Sequence, residues 1–224
     1  MSYSYTPTSL PEVLLLEPQL RIEDGAILHE CFNARDFVQA TGFKNEFVQE
    51  CLLKYRYGVV RSPHYQVHHQ QGKLVRVGVG EVFHVVVDMR RYSPSFGRWV
   101  GMMLSASNQQ QLWIPQGFAH GFAVLSGTAE IHIKSTDYLY PEHECRVRWD
   151  DPSIGIEWPA IGTPMLSPKD KAAPLLADAS AFMENRQLAR QRWGVQRQFC
   201  APVQIAPRPW APGVAGGTNH KSVE

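Results

Sequence analysis

From Arg21 to Pro159 the chain is a succession of short β-type runs, each cut off by Gly, Pro, Asn or Asp. Strands so short and evenly spaced argue against alternating strand–helix units and for a sandwich or barrel. Lys73–Val79 and Val82–Asp88 flank Gly80-Glu81 and predict a hairpin. Trp99–Leu104, Gln111–Ile114, Gly121–Leu125 and Ala129–Lys134 predict further strands. Helical signal is confined to a short stretch over Ala34–Ala40, closed by Gly42, and a longer one over Asp178–Trp193. The segment Ala201–Glu224 is rich in Pro and Gly and is expected to be poorly ordered. Residues 1–176 therefore read as one domain, and 177–224 as a helix and tail without a core of their own.

A length of 224 residues and a hydrophobic content of 44% suffice for one ordinary core. Lys and Arg total 22 against 21 Asp and Glu, a formal charge of +1, so no large field favours nucleic acid or an anionic membrane. The basic set Arg186, Arg190, Arg192 and Arg197 has no aromatic stacking platform and reads as a solvated face or a dimer contact. No apolar run approaches the roughly 20 residues of a spanning helix, and the first residues do not read as a signal peptide. Cys31, Cys51, Cys145 and Cys200 are widely separated and form no C-x-x-C pair, which points to free thiols. A soluble, cytoplasmic protein is the expectation.

Several chemistries are excluded by pattern. Gly78-Val79-Gly80 is a lone G-x-G with no following helix, and phosphate-loop, G-x-S-x-G and H-E-x-x-H motifs are missing. What stands out is a set of polar residues in or beside strands: Arg61, His64, Gln66, Lys73, His84, Asp88, His120 and Lys134. Polar groups inside a barrel are costly unless paired or solvated, so a ligand cavity is the economical explanation.

Longer motifs sharpen this. They are Gly58-Val59-Val60-Arg61 with His64-Tyr65-Gln66, then Gln71-Gly72-Lys73-Leu74-Val75 and Ser93-Pro94-Ser95-Phe96-Gly97-Arg98-Trp99. Leu112-Trp113-Ile114-Pro115-Gln116-Gly117-Phe118-Ala119-His120-Gly121-Phe122, Thr136-Asp137-Tyr138 and Leu166-Ser167-Pro168-Lys169-Asp170 follow. Over roughly Glu23 to Leu176 the chain resembles the sugar-nucleotide 3,5-epimerases that act on dTDP-4-keto-6-deoxyglucose. The resemblance implies an all-β, cupin-type jelly-roll barrel. It also implies a homodimer in which each partner completes the other's site, and a reaction needing no cofactor or metal.

The resemblance also assigns roles. His64 is the base that removes a proton next to a ketone, with Asp170 orienting it. Lys73 stabilises the enolate, Arg61 holds the diphosphate, His120 lines the cavity and Tyr138 packs on the nucleobase. Gln49, Glu30, Gln66 and His84 complete the expected substrate-binding set.

This sequence also departs from the family pattern. The Tyr that donates a proton from the face opposite the His is here Ile133, which has no proton to give. Neighbouring His132 points to the other face of a strand and does not replace it without a register slip. An Asp of the family is His84, the Gly-Leu before the base is Ser62-Pro63, and expected Arg and Asn positions fall at Gly25 and Cys51. Three readings follow: an epimerase that inverts one centre or uses another donor such as His84; a nucleotide-sugar-binding module on the same scaffold; or a metal-dependent cupin. For the third, Pro115-x-Gly117-x-x-His120 is half of a metal pattern, which His64, His68 and His69 would complete.

Overall fold

The computed structural model describes residues 3–44 and 46–183. The first strands are β1 (Tyr3–Pro7), β2 (Leu14–Pro18), β3 (Arg21–Glu23) and β4 (Ala26–Leu28). After helix α1 (Ala34–Thr41) come β5 (Gln49–Arg56), β6 (Val60–Gln66), β7 (Lys73–Val79) and β8 (Glu81–Asp88). Next are β9 (Trp99–Ser105), β10 (Gln111–Ile114), β11 (Phe118–Val124), β12 (Thr128–Ser135) and β13 (Glu144–Arg146). A single helical turn, α2 (Pro168–Lys171), carries Asp170. The longer helix expected over Asp178–Trp193 is not seen up to Met183, where the chain is turn and extended; its remainder and the tail to Glu224 lie outside the described residues.

The strands form a six-stranded sheet in the order β1-β2-β10-β7-β12-β5 and a five-stranded sheet in the order β13-β6-β11-β8-β9; β3 and β4 pair as a separate ribbon. All named pairings are antiparallel. The sheets pack face to face as a jelly-roll barrel. Val75, Val77, Ile131 and Ile133 from one sheet meet Val82, Val86, Phe122 and Val124 from the other in a single buried cluster. Alternation makes this possible, because every second residue of each strand points inward.

The hairpin expected at Gly80-Glu81 is not one. Strand β7 belongs to the six-stranded sheet and β8 to the five-stranded sheet, so the chain crosses between layers there. Gly80 has φ 75°, and a Cβ on it would lie 2.0 Å from the carbonyl oxygen of Thr128. Glycine permits this sheet corner for the same conformational reason that it permits a hairpin turn. Local pattern cannot tell the two apart.

Both outer faces are covered. Helix α1 starts at Asn33, whose side-chain oxygen accepts from the backbone N–H groups of Arg35 and Asp36, and stops at Gly42 in the left-handed region (φ 71°). Its Phe37 is buried edge-on against Trp113 at 5.0 Å between ring centroids, a burial that contributes about 1.5–3 kcal/mol. Over the five-stranded sheet lie Val147, Ile154, Leu176, Ala179 and Phe182 from the segment after β13.

One irregularity positions the site. Strand β6 contains Pro63, which has no N–H for a ladder, and the β6–β11 register shifts between the pairs His120↔His64 and Phe122↔Arg61. Opposite the bulge stands Gly121, where a Cβ would meet the carbonyl oxygen of Arg61 at 2.4 Å and the Pro63 nitrogen at 2.8 Å. The bulge lets Arg61 and His64, an odd number of residues apart, both lie beside inward-facing partners.

Candidate active site

His64, His120, His84 and Arg61 line the inner face of the five-stranded sheet, while Lys73, Ile133, Cys51 and Tyr55 lie on the inner face of the six-stranded sheet. The two sets meet. Lys73 Nζ is 2.7 Å from His120 Nε2, and the His120 ring lies 4.4 Å from that of His64. His120 Nδ1 is in turn 3.2 Å from His84 Nε2.

His64 is oriented by backbone. Its Nδ1 lies 3.1 Å from the carbonyl oxygen of Ser62, which can only accept, so Nδ1 carries the proton and Nε2 keeps a lone pair. Burial, followed by the charges of Lys73 and Arg61, pushes the imidazole well below its ordinary range. The imidazole is therefore neutral at neutral pH. Burial also pushes the Lys73 ammonium down to about 8, with Glu144 and Cys51 acting in the opposite sense. His84, at 0% exposure, is pushed down to about 3 by burial and then by Lys73, and His120 is likewise well below its usual value.

Asp170, which the resemblance led us to expect as the group orienting His64, reaches it only through Ser62. Its carboxylate accepts from the Ser62 N–H at 3.2 Å and from Ser167 Oγ at 2.5 Å. Arg61 Nε and Arg146 Nε lie 3.6 and 3.3 Å from its oxygens, within ion-pair range but not aligned for hydrogen bonds. The carboxylate thus holds the Ser62 backbone that holds His64, because the Ser62-Pro63 bulge interposes a residue between them.

Other expected residues fall at the rim or behind it. Gln66 ties two loops together, donating to the carbonyls of His69 after β6 and Tyr138 after β12, and accepting from the Tyr140 N–H. Gln49 accepts from the Leu139 N–H at 3.0 Å, and Tyr138 is 54% exposed on that same loop. Both glutamines shape the wall. His84 is fully enclosed behind His120 and presents no surface of its own to a ligand. Glu30 is exposed beside the start of α1, near Asn33, and is not brought into the pocket of its own chain. Asp88 and Lys134, part of the polar strand set, are engaged elsewhere, Asp88 with Arg90 at 2.8–2.9 Å and Lys134 with Glu50 at 2.7 Å.

Two side chains were not singled out by sequence. Tyr55 Oη accepts from Arg61 Nη1 at 3.3 Å, with its ring edge-on to Phe122. Its spacing from Cys51, four residues along one strand, places both on the same face and was a usable signal. Arg146, from β13, flanks Asp170 with no local signal at all.

The substitutions keep their places. Ile133 is 7% exposed within the inter-sheet core, directly opposite Cys51 and Val75. His132 is on the outer face, 3.9 Å from Glu50, so no register slip brings it inward. The metal-binding reading is corrected. Among the described residues no group of three or more His, Cys, Asp or Glu could hold a metal ion. His69 stacks on Tyr140 at 4.1 Å, and His68 packs near His143, both outside the barrel. Cys31, Cys51 and Cys145 are free, and no helix among the described residues is long and apolar enough to cross a membrane.

A jelly-roll barrel whose interior gathers a neutral imidazole, an ammonium group and a guanidinium suits one class of protein: isomerases that move a proton on carbon. The chain belongs to the dTDP-4-dehydrorhamnose 3,5-epimerase family, whose model matches residues 7–178. It is 48% identical over 177 residues to a dTDP-4-dehydrorhamnose 3,5-epimerase of Pseudomonas aeruginosa, covering 79% of this chain and 98% of that protein. It is 34% identical over 174 residues to a dTDP-4-dehydrorhamnose 3-epimerase of Streptomyces niveus, covering 77% and 84%. Among solved structures, a dTDP-6-deoxy-D-glucose-3,5-epimerase from Legionella pneumophila, in complex with dTDP-4-keto-L-rhamnose, superposes with a TM-score of 0.79 at 41% identity. That match covers 82% of this chain and 99% of the other.

Proposed function

We propose that this protein acts on a dTDP-linked 4-keto-6-deoxyhexose by removing the proton on a carbon next to the ketone, and that it inverts one centre at most efficiently. The observation that carries the reading is His64, whose Nδ1–H is tied to Ser62 while its Nε2 lone pair is left for substrate. Nε2 takes the proton, the C–H electron pair moves onto the carbonyl oxygen, and the Lys73 ammonium stabilises the enolate. Arg61 holds the diphosphate, with Tyr55 beside it, and Tyr138 at the rim meets the nucleobase. The bound sugar nucleotide of the Legionella protein supports this substrate class.

Inversion needs a second proton from the opposite face. Ile133 cannot supply it, whereas His64 can return its own proton to the face from which it came. Exchange of hydrogen should then outrun inversion, in keeping with a relative named for a single centre. The test is dTDP-4-keto-6-deoxyglucose in deuterium oxide. Label uptake at C3 or C5 faster than formation of the doubly inverted sugar supports the reading, and efficient double inversion overturns the single-centre part of it.

A homodimer belongs to the same proposal. Ribbon β3–β4 exposes Ile22 (81%), Ile27 and Leu28, apolar surface suited to burial against a second copy. Glu30 lies just beyond the ribbon and would join a pocket from that side. The other candidate, a binding module without turnover, is favoured only by Ile133 and predicts nucleotide binding with no exchange.

A further inference from the structure

The chain of nitrogens behind the substrate pocket carries an inference beyond the assignment of base and oxyanion partner. Lys73 Nζ, His120 Nε2, His120 Nδ1 and His84 Nε2 are linked by contacts of 2.7 and 3.2 Å, and the two imidazoles stack at 5.3 Å with 19° between their planes. His84 and His120 are 0% and 1% exposed, and His84 Nδ1 has no hydrogen-bond partner among the described residues. Among the described residues no carboxylate contacts either ring.

Each link holds one proton, which ties the three groups together. If Lys73 is an ammonium it donates to His120 Nε2. His120 must then carry its proton on Nδ1 and donate to His84 Nε2, and His84 must carry its own on Nδ1. If Lys73 is a neutral amine accepting from His120 Nε2–H, both imidazoles must change tautomer together. An ammonium at Lys73 thus fixes the polarity of the pair, whereas a neutral amine, which can donate or accept, leaves either polarity open.

Resting on the reading of Lys73 as the enolate's partner, we propose that His84 is a positioning residue. Acting through His120, it keeps the His120 Nε2 lone pair on Lys73 and so holds the ammonium that faces the substrate carbonyl. A carboxylate in its place, as in the family pattern, would accept the same His120 Nδ1–H while adding a buried negative charge. His84 offers that acceptor as a neutral ring. The surroundings fit. Lys73 feels Arg61 from β6, Glu144 from β13 and Cys51 from β5, and His120 feels His64 and Arg61. His84 faces the Phe122 ring at 5.9 Å and, across β9, Met102. It is thus the end of the chain, with no charged neighbour beyond it except through His120.

The experiment is nitrogen-15 NMR of histidine-labelled protein without ligand, from about pH 6 to about pH 10, a range spanning the Lys73 titration. At the acid end His120 and His84 should both be Nδ1–H tautomers, and any change of tautomer at higher pH should occur in both rings with one shared midpoint. His84→Asn offers a carboxamide oxygen to the same His120 N–H and should keep the His120 tautomer and the pH profile of substrate exchange. His84→Leu removes the acceptor, so His120 should lose its single tautomer. Exchange should fall about tenfold, the equivalent of one hydrogen bond, with a displaced pH profile. His120 found as the Nε2–H tautomer in the wild type at the acid end overturns the proposal, as does an unaltered pH profile in His84→Leu. The wild-type spectra need neither turnover nor a variant that folds. Absence of substrate exchange would therefore defeat the proposed reaction while leaving the His84–His120 relationship tested by itself.

Discussion

The carbonyl oxygen of Ser62 accepts from Nδ1 of His64 at 3.1 Å, so the backbone of a β-bulge fixes the tautomer of the candidate base. That arrangement leaves the Nε2 lone pair of His64 free, which is the basis for its proposed role as the base. His64→Ala should abolish incorporation of solvent deuterium into dTDP-4-keto-6-deoxyglucose, a loss of at least about 10²-fold. Undiminished exchange in that variant, measured by mass spectrometry, would remove His64 from the mechanism.

Ile133→Tyr restores a phenol on the inner face of β12, opposite Cys51. A positioned acid is worth about 10²–10⁴ in rate, so inversion should rise far more than exchange. The two rates are read from one NMR time course. A variant in which both rise equally, or neither does, would show that the opposite-face proton is not what limits the wild type.

Nucleotide binding should persist. Arg61, Gln49 and Tyr138 are in place, whereas Gly25 and Cys51 remove two expected contacts. Calorimetry with dTDP should give heat of binding, with affinity about ten- to a hundredfold below that of a protein carrying the full set, or about 1.4–2.8 kcal/mol. No heat and no thermal shift across a panel of nucleoside diphosphates would be fatal to this expectation.

Stability should be acid-sensitive. His84 and His120 are held neutral in the folded state by burial, with values below the 6.5 of a free imidazole. Below about pH 6.5 the unfolded chain therefore binds more protons than the native one, and stability falls with pH. At about pH 5 the buried His84 ring alone costs on the order of 2 kcal/mol, enough to lower Tm by roughly 5 °C. A Tm that is flat between about pH 7 and about pH 5 would show that the rings are not buried as neutral species.

The architecture was readable because alternation and punctuation are local. Gln111–Ile114 was recovered to the residue, and the helix over Ala34–Ala40 ends, as expected, at Gly42. What failed was global. The residues around Gly80 encode a turn without saying whether the strands it joins will pair or part into different sheets. At the site, the family resemblance led to His64, Lys73, His120 and Asp170 being expected in one neighbourhood. The detour of Asp170 through Ser62 was hidden, because it depends on Pro63 and Gly121, fifty-eight residues apart, meeting across two strands. Arg146 was invisible for a similar reason.

Ile133 has a further consequence, one of inheritance more than of chemistry. Its side chain has joined Val75, Val77 and Ile131 in the apolar filling between the sheets. A phenol at that position would have to keep its hydroxyl satisfied in the same space, whereas the aliphatic chain has no such requirement. The substitution is therefore a ratchet: once made, it is favoured by packing whatever it does to the stereochemistry. Putting a phenol there therefore asks the core to give up packed apolar contact and to find a partner for a hydroxyl.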